Sequence, residues 1–79
     1  MIKLIIVKHA ENRMREYDIP EGLVINAVQN PDNVLDSYKG RKIYQKKLNG
    51  YMLRVIVEED KEVKKVITVY KARSGRYEI

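Results

Sequence analysis

The stretch "KIYQKKLNGYMLRVIVEE" (residues 42–59) decides the architecture. Two runs of strand length, Lys42–Leu48 and Tyr51–Glu59, are separated by Asn49-Gly50, a pair favoured in two-residue β-hairpin loops. In the second run Leu53, Val55 and Val57 alternate with Met52, Arg54 and Ile56, so one face of the strand is apolar. Arg54 falls on the other face. A charge in an otherwise apolar central strand is costly unless it is paired or functional, so the pattern predicts a sheet face open to water there.

Working outward, "VLDSYK" (Val34–Lys39) reads as a strand turning at Gly40, and "EVKKVITVYK" (Glu62–Lys71) as a strand after an acidic turn around Asp60-Lys61. The hairpin signal and the short connections predict an antiparallel meander. At the other end, "IKLIIVK" (Ile2–Lys8) is a β-branched run of strand length. From His9 the period changes. Ala10, Met14 and Tyr17 are spaced as one face of a helix, with His9 and Arg13 on its flank. Pro20 suits the start of a second helix, whose apolar face is Leu23, Val24, Ala27 and Val28 and which Asn30-Pro31 ends. The expected order is β-α-α-β-β-β-β, an α+β fold with a helical hairpin packed on a mainly antiparallel sheet. The whole of residues 1–79 reads as one domain, because so short a chain has room for one core.

Composition narrows the chemistry. At 44% hydrophobic and 34% charged the chain is of the globular type, and it has no cysteine for a disulfide, thiolate zinc site or thiol nucleophile. One histidine and scattered carboxylates make no metal-ligand cluster, and there is no glycine-rich phosphate loop, so neither metal nor cofactor is expected. The apolar run "LIIV" is too short for a signal-peptide core or a membrane span, and a cytoplasmic protein is expected. Charge is unevenly divided. Residues 1–40 hold five Lys/Arg and six Asp/Glu, net −1; residues 41–79 hold eleven and five, net +6. A one-sided basic field favours polyanions, RNA or DNA first among them, although a lysine-rich solvated surface has the same composition.

The basic residues are interleaved with tyrosines: Lys46 and Lys47 beside Tyr44, Arg54 after Tyr51, and Lys71, Arg73 and Arg76 between Tyr70 and Tyr77. Cations hold phosphates and exposed rings stack on unpaired bases. Lys46, Lys47, Tyr70, Arg76 and Tyr77 are therefore candidate nucleic-acid contacts, with tyrosines that merely cover a sheet as the alternative. A ribonuclease working without a metal needs a group that moves protons near neutral pH and cations aimed at the developing phosphorane. His9 and Arg13, one helical turn apart, have the right chemistry. A histidine at a strand–helix boundary is nonetheless more often structural, and both readings stand at this point.

"HAENRMREYDIP" with the following "AVQNPD" resembles the HA-x-x-RM opening of a family of small uncharacterised domains related to the RelE/BrnT-like toxin ribonucleases of toxin–antitoxin pairs. The segment from Tyr38 to Tyr77 is similar to that family's meander with its basic, tyrosine-bearing end, so the resemblance spans almost the whole chain. It implies a RelE/BrnT-like fold, RNA cleavage without metal, and an acidic antitoxin covering the basic face; a dimer is among the assemblies compatible with it. His9 and Arg13 match the opening motif, Arg54 the central-strand basic residue, and Lys71 and Arg73 the terminal basic segment, which makes these five the expected catalytic set. The chain departs from the pattern at Tyr17-Asp18, where such openings often carry arginine-glycine. A non-catalytic nucleic-acid-binding or protein-interaction module on the same fold is the alternative.

Overall fold

The computed structural model of the chain describes residues 3–37 and 39–73. The element order is β1 (Lys3–Ile6), α1 (Lys8–Glu16), α2 (Glu21–Gln29), β2 (Asn33–Asp36), β3 (Arg41–Leu48), β4 (Tyr51–Asp60) and β5 (Val63–Arg73). This is the expected β-α-α-β-β-β-β order. The strands form one sheet in the order β1-β5-β4-β3-β2, antiparallel throughout except where β1 lies parallel to β5 at one edge. Parallel pairing requires a crossover, and the helical hairpin with the rest of the meander supplies it.

Both helices lie on one face. Ala10 and Met14 of α1 and Val24, Ala27 and Val28 of α2 share a buried cluster with Leu53, Val55 and Val57 of β4 and Val66 and Val69 of β5. The β5 sequence does not alternate strictly, and a bulge reconciles it with the core: Ile56 pairs with Thr68 but Val57 with Val66, leaving Ile67 as the extra residue. Val66 and Val69 are thereby both turned to the helices and wholly buried. Among the described residues no helix is long and apolar enough to cross a membrane.

Several local expectations are corrected. Tyr17 does not complete the α1 core stripe; it is 37% exposed, and Ile19, at 4%, takes the buried place after the turn formed by Asp18 at φ 56°. Pro20 stands at the start of α2 as its N-cap, one position before the first helical residue, Glu21. Strand β2 stops at Asp36 instead of running to Lys39, because Ser37 N–H already donates to Arg41 C=O (2.9 Å) and Lys39 and Gly40 take left-handed φ of 61° and 72°. Ile2 and Tyr38, which the pattern also placed in strands, lie outside the described residues. In the β3–β4 hairpin Leu48 pairs with Tyr51, and Gly50 (φ 88°) alone is left-handed in a loop whose favoured mirror-image form needs two such residues.

The largest correction concerns the sheet's other face. Paired residues in an antiparallel ladder point the same way, so Gln45, Arg54 and Tyr70 sit together opposite the helices. The pattern predicts water on that face. Instead Gln45 (1% exposed), Met52 (2%), Arg54 (7%) and Ala72 (8%) are buried there.

Candidate nucleic-acid interface

The registers of β3, β4 and β5 fix two rows across the helix-bearing face at the β3–β4 hairpin end. Lys46, Leu53 and Lys71 make one row; Leu48, Tyr51 and Arg73 make the next. Leu53 is wholly buried in the core, which sets the side to which both rows point. Tyr51 is half-buried against that core, and the Lys71 Nζ lies 4.8 Å from its ring centroid. Arg73 is exposed beside it. Two cations and an aromatic ring thus share one end of one face, with Lys71 half-buried.

Lys46 is in the neighbouring strand but is otherwise occupied. Its Nζ donates to the Asn30 carbonyl at 2.8 Å, at the C-terminal end of α2, and lies 3.9 Å from the Asp32 carboxylate. A cation there satisfies an end carbonyl and complements the helix dipole. Lys47 points to the opposite face; its backbone N–H donates to the same Asp32 carboxylate at 2.7 Å.

The α1 helix brings the opening motif to the helix-bearing side, where it packs against β5. His9 is exposed in its first turn. Arg13 is partly covered: its guanidinium lies 5.9 Å from the Tyr17 ring centroid, Nη1 donates to the Tyr17 hydroxyl at 3.5 Å, and the Glu16 carboxylate is 3.6 Å away. Tyr17, read from spacing as a core residue, is instead the shelf for Arg13.

Four of the five expected catalytic residues, His9, Arg13, Lys71 and Arg73, therefore belong to the same side of the sheet. Arg54 does not. It is buried on the other face with Tyr70, whose hydroxyl accepts from Arg54 Nη1 at 2.6 Å and whose ring centroid is 5.4 Å from the guanidinium carbon. Tyr70, expected as a base-stacking ring, is engaged by that guanidinium. Arg76 and Tyr77 lie outside the described residues.

Far from the hairpin end, Tyr44 donates to the Glu59 carboxylate, which also takes ion pairs from Lys42 (3.8 Å) and Lys64 (3.7 Å). The Lys64 ammonium lies 4.9 Å from the Tyr44 ring centroid. Burial, then the bond to Glu59, raises the Tyr44 pKa above its ordinary 10.0, with Lys64 opposing. This group is a partly exposed polar network on the helix-bearing face, and it gives two of the second-half lysines, Lys42 and Lys64, an acidic partner in the fold. Among the described residues there is no group of three or more His, Cys, Asp or Glu placed to hold a metal ion.

Residues 6–71 match the model of a family described as Domain of unknown function (DUF4258). The chain belongs to this family. No curated protein and no solved structure matches it. The DUF4258 match takes in His9, Arg13, Tyr51 and Lys71 and ends two residues before Arg73. Tyr51 was not distinguishable from the other tyrosines by its neighbours in sequence. The usable signal was its position directly after Asn49-Gly50, which in a two-residue hairpin puts it on the same face as Leu53.

Proposed function

We propose that this DUF4258 domain is a toxin-like RNA endonuclease that works without a metal, as its resemblance to RelE/BrnT-like toxins implies. The observation that carries the reading is the placement of Lys71, Arg73 and Tyr51 on the side of the sheet that also bears His9 and Arg13. Lysine and arginine there hold backbone phosphates, and the ring offers an apolar surface to a base. In the reaction His9 moves the proton, taking it from the ribose 2′-hydroxyl or giving it to the departing 5′-oxygen. The 2′-oxygen bonds to phosphorus as the bond to the 5′-oxygen breaks, and cationic groups offset the charge of the five-coordinate state. Arg54 enters as a support of the β4–β5 ladder, not as a phosphate ligand.

The test is incubation of the purified domain with a labelled RNA and the matching DNA in the presence of a chelator. RNA fragments ending in a 2′,3′-cyclic phosphate, with the DNA intact, are the expected products. The burial of Arg54 opposite His9 favours a second reading, RNA binding without cleavage, in which the same strip binds and no fragments appear. As a toxin the domain acts in the cytoplasm and pairs with an acidic antitoxin that covers the basic side. Growth arrest on induction of the chain, relieved by its neighbouring gene, is the expected cellular result.

A further inference from the structure

We infer that Tyr51 is a stacking platform for one unpaired base and that Lys71 holds its place until RNA arrives, which makes the interface selective for single-stranded over duplex nucleic acid. This deepens the RNA reading above and rests on it. The ring packs against the core on one part of its surface, and the Lys71 ammonium stands 4.8 Å from its centroid. An ammonium at that position fills the space that a stacked base needs. Base and cation compete for one ring face.

The competition favours the base. A cation over a ring gains from about twofold at an exposed site to about thirtyfold at a desolvated one, whereas stacking a base on an aromatic side chain gains about five- to a hundredfold and brings a phosphate contact besides. The displaced ammonium is not lost, because the nucleotide brings a phosphate with it. Lys71 and Arg73 are two residues apart on one face of β5, about 6.8 Å between their Cα atoms, so each can take one of two successive phosphates flanking the stacked base. Duplex bases are already stacked on their neighbours and offer no free face, so only the phosphate contacts remain for a duplex.

Among the described residues the other cation–tyrosine pairs do not fit this role. Arg54 is fixed to Tyr70 by a 2.6 Å hydrogen bond and buried. Lys64, over the Tyr44 ring, is also paired with Glu59. Arg13, over Tyr17, donates to its hydroxyl and pairs with Glu16. Lys71 over Tyr51 is the pair positioned to open, at the exposed end of the strip with Arg73 beside it.

The experiment compares binding, by fluorescence anisotropy, of a uridine oligonucleotide, an abasic oligonucleotide of equal length and charge, and a duplex. The wild-type domain is expected to bind the uridine strand about five- to a hundredfold more tightly than the abasic strand. Tyr51→Phe should keep that ratio and Tyr51→Leu should bring it to about one, both checked for folding by thermal melting. Lys71→Gln should raise the ratio, because the base no longer has to displace the ammonium from the ring, while reducing the salt slope by about 0.7, the value of one single-strand phosphate contact. Equal binding of uridine and abasic strands by wild type, or an unchanged ratio in Tyr51→Leu, overturns the platform alone. Failure of the wild type to bind any of the three at low salt overturns the platform and the RNA reading together.

Discussion

Arg54 and Tyr70 face each other across the β4–β5 ladder, with Nη1 donating to the phenol oxygen at 2.6 Å, on the side of the sheet away from both helices. A guanidinium taken out of water must be compensated by hydrogen bonds and charge, so removing either member of such a pair is costly. Arg54→Ala is therefore expected to lower stability by about 3 kcal/mol, and Tyr70→Phe by about 1–2 kcal/mol. Because the two share one interaction, the double variant should lose less than the sum of the singles. Urea denaturation reads all three. A loss under about 0.5 kcal/mol for Arg54→Ala, the range of ordinary surface substitutions, would contradict the structural role.

On the proposed reading the same placement keeps Arg54 out of the RNA site. Arg54→Met, which keeps much of the volume, should leave RNA affinity per folded molecule unchanged, whereas Lys71→Gln weakens it and flattens its salt dependence. A large affinity loss in Arg54→Met with native folding would return Arg54 to the phosphate site.

Lys46 tests whether position in a basic strip is enough for binding. Its ammonium is held by the Asn30 carbonyl and Asp32 at the end of α2. Lys46→Met should cost about 1 kcal/mol of stability by removing a charged hydrogen bond and a favourable interaction with the helix dipole. Its effect on RNA affinity should be smaller than that of Lys71→Gln. The reverse order of effects would mean that Lys46 leaves the helix end for phosphate.

Much of the fold was legible because its signals are local. Leu53, Val55 and Val57 alternate, Asn49-Gly50 punctuates the hairpin, and Ala10, Met14 and the α2 residues keep helical spacing, so element order and the helix-bearing face followed directly. The parallel placement of β1 beside β5 was not legible, since nothing in a short apolar run names its neighbour. The β5 bulge was likewise hidden: Val66 and Val69 are three apart, and only the ladder with Val57 and Val55 shows why both turn inward. For the site, alternation correctly sent Arg54 away from Leu53, but exposure is a tertiary property, and the burial of Gln45, Met52 and Ala72 around it has no signature in the sequence. Tyr17 misled because an aromatic at helical spacing looks like core, while its hydroxyl and the adjacent Arg13 made a surface partnership available.

Tyr44 gives the fold an alkaline limit. Burial and the bond to Glu59 raise its folded-state pKa above 10.0, so the folded protein holds this proton more tightly than the unfolded chain. The stabilisation is fully present below pH 10 and is lost as pH rises from there through the higher folded value. In Tyr44→Phe this component of the alkaline decline should be absent, although stability at neutral pH falls because Glu59 loses a donor. Phenolate absorbance should show that the variant lacks the component of the wild-type titration that ionises above the ordinary range. An identical alkaline limb in both proteins would remove Tyr44 as the cause.

His9 decides between cleavage and binding. It is exposed in the first turn of α1, away from the buried Ala10 and Met14, so His9→Ala should leave the melting temperature unchanged. As a general acid or base it should contribute about 10²–10⁴-fold to the cleavage rate, and His9→Ala should lose that factor while RNA binding persists. Arg13→Ala and Arg73→Ala should lower cleavage through lost charge stabilisation, and combining either with His9→Ala should cost less than the product of the single effects if the groups act on one phosphate. Single-turnover cleavage, anisotropy and thermal melting on one set of preparations separate the contributions. Unchanged cleavage in His9→Ala removes the histidine from the mechanism. Absent cleavage by the wild type, together with salt-sensitive binding, leaves the domain as an RNA-binding module whose histidine is an ordinary boundary residue.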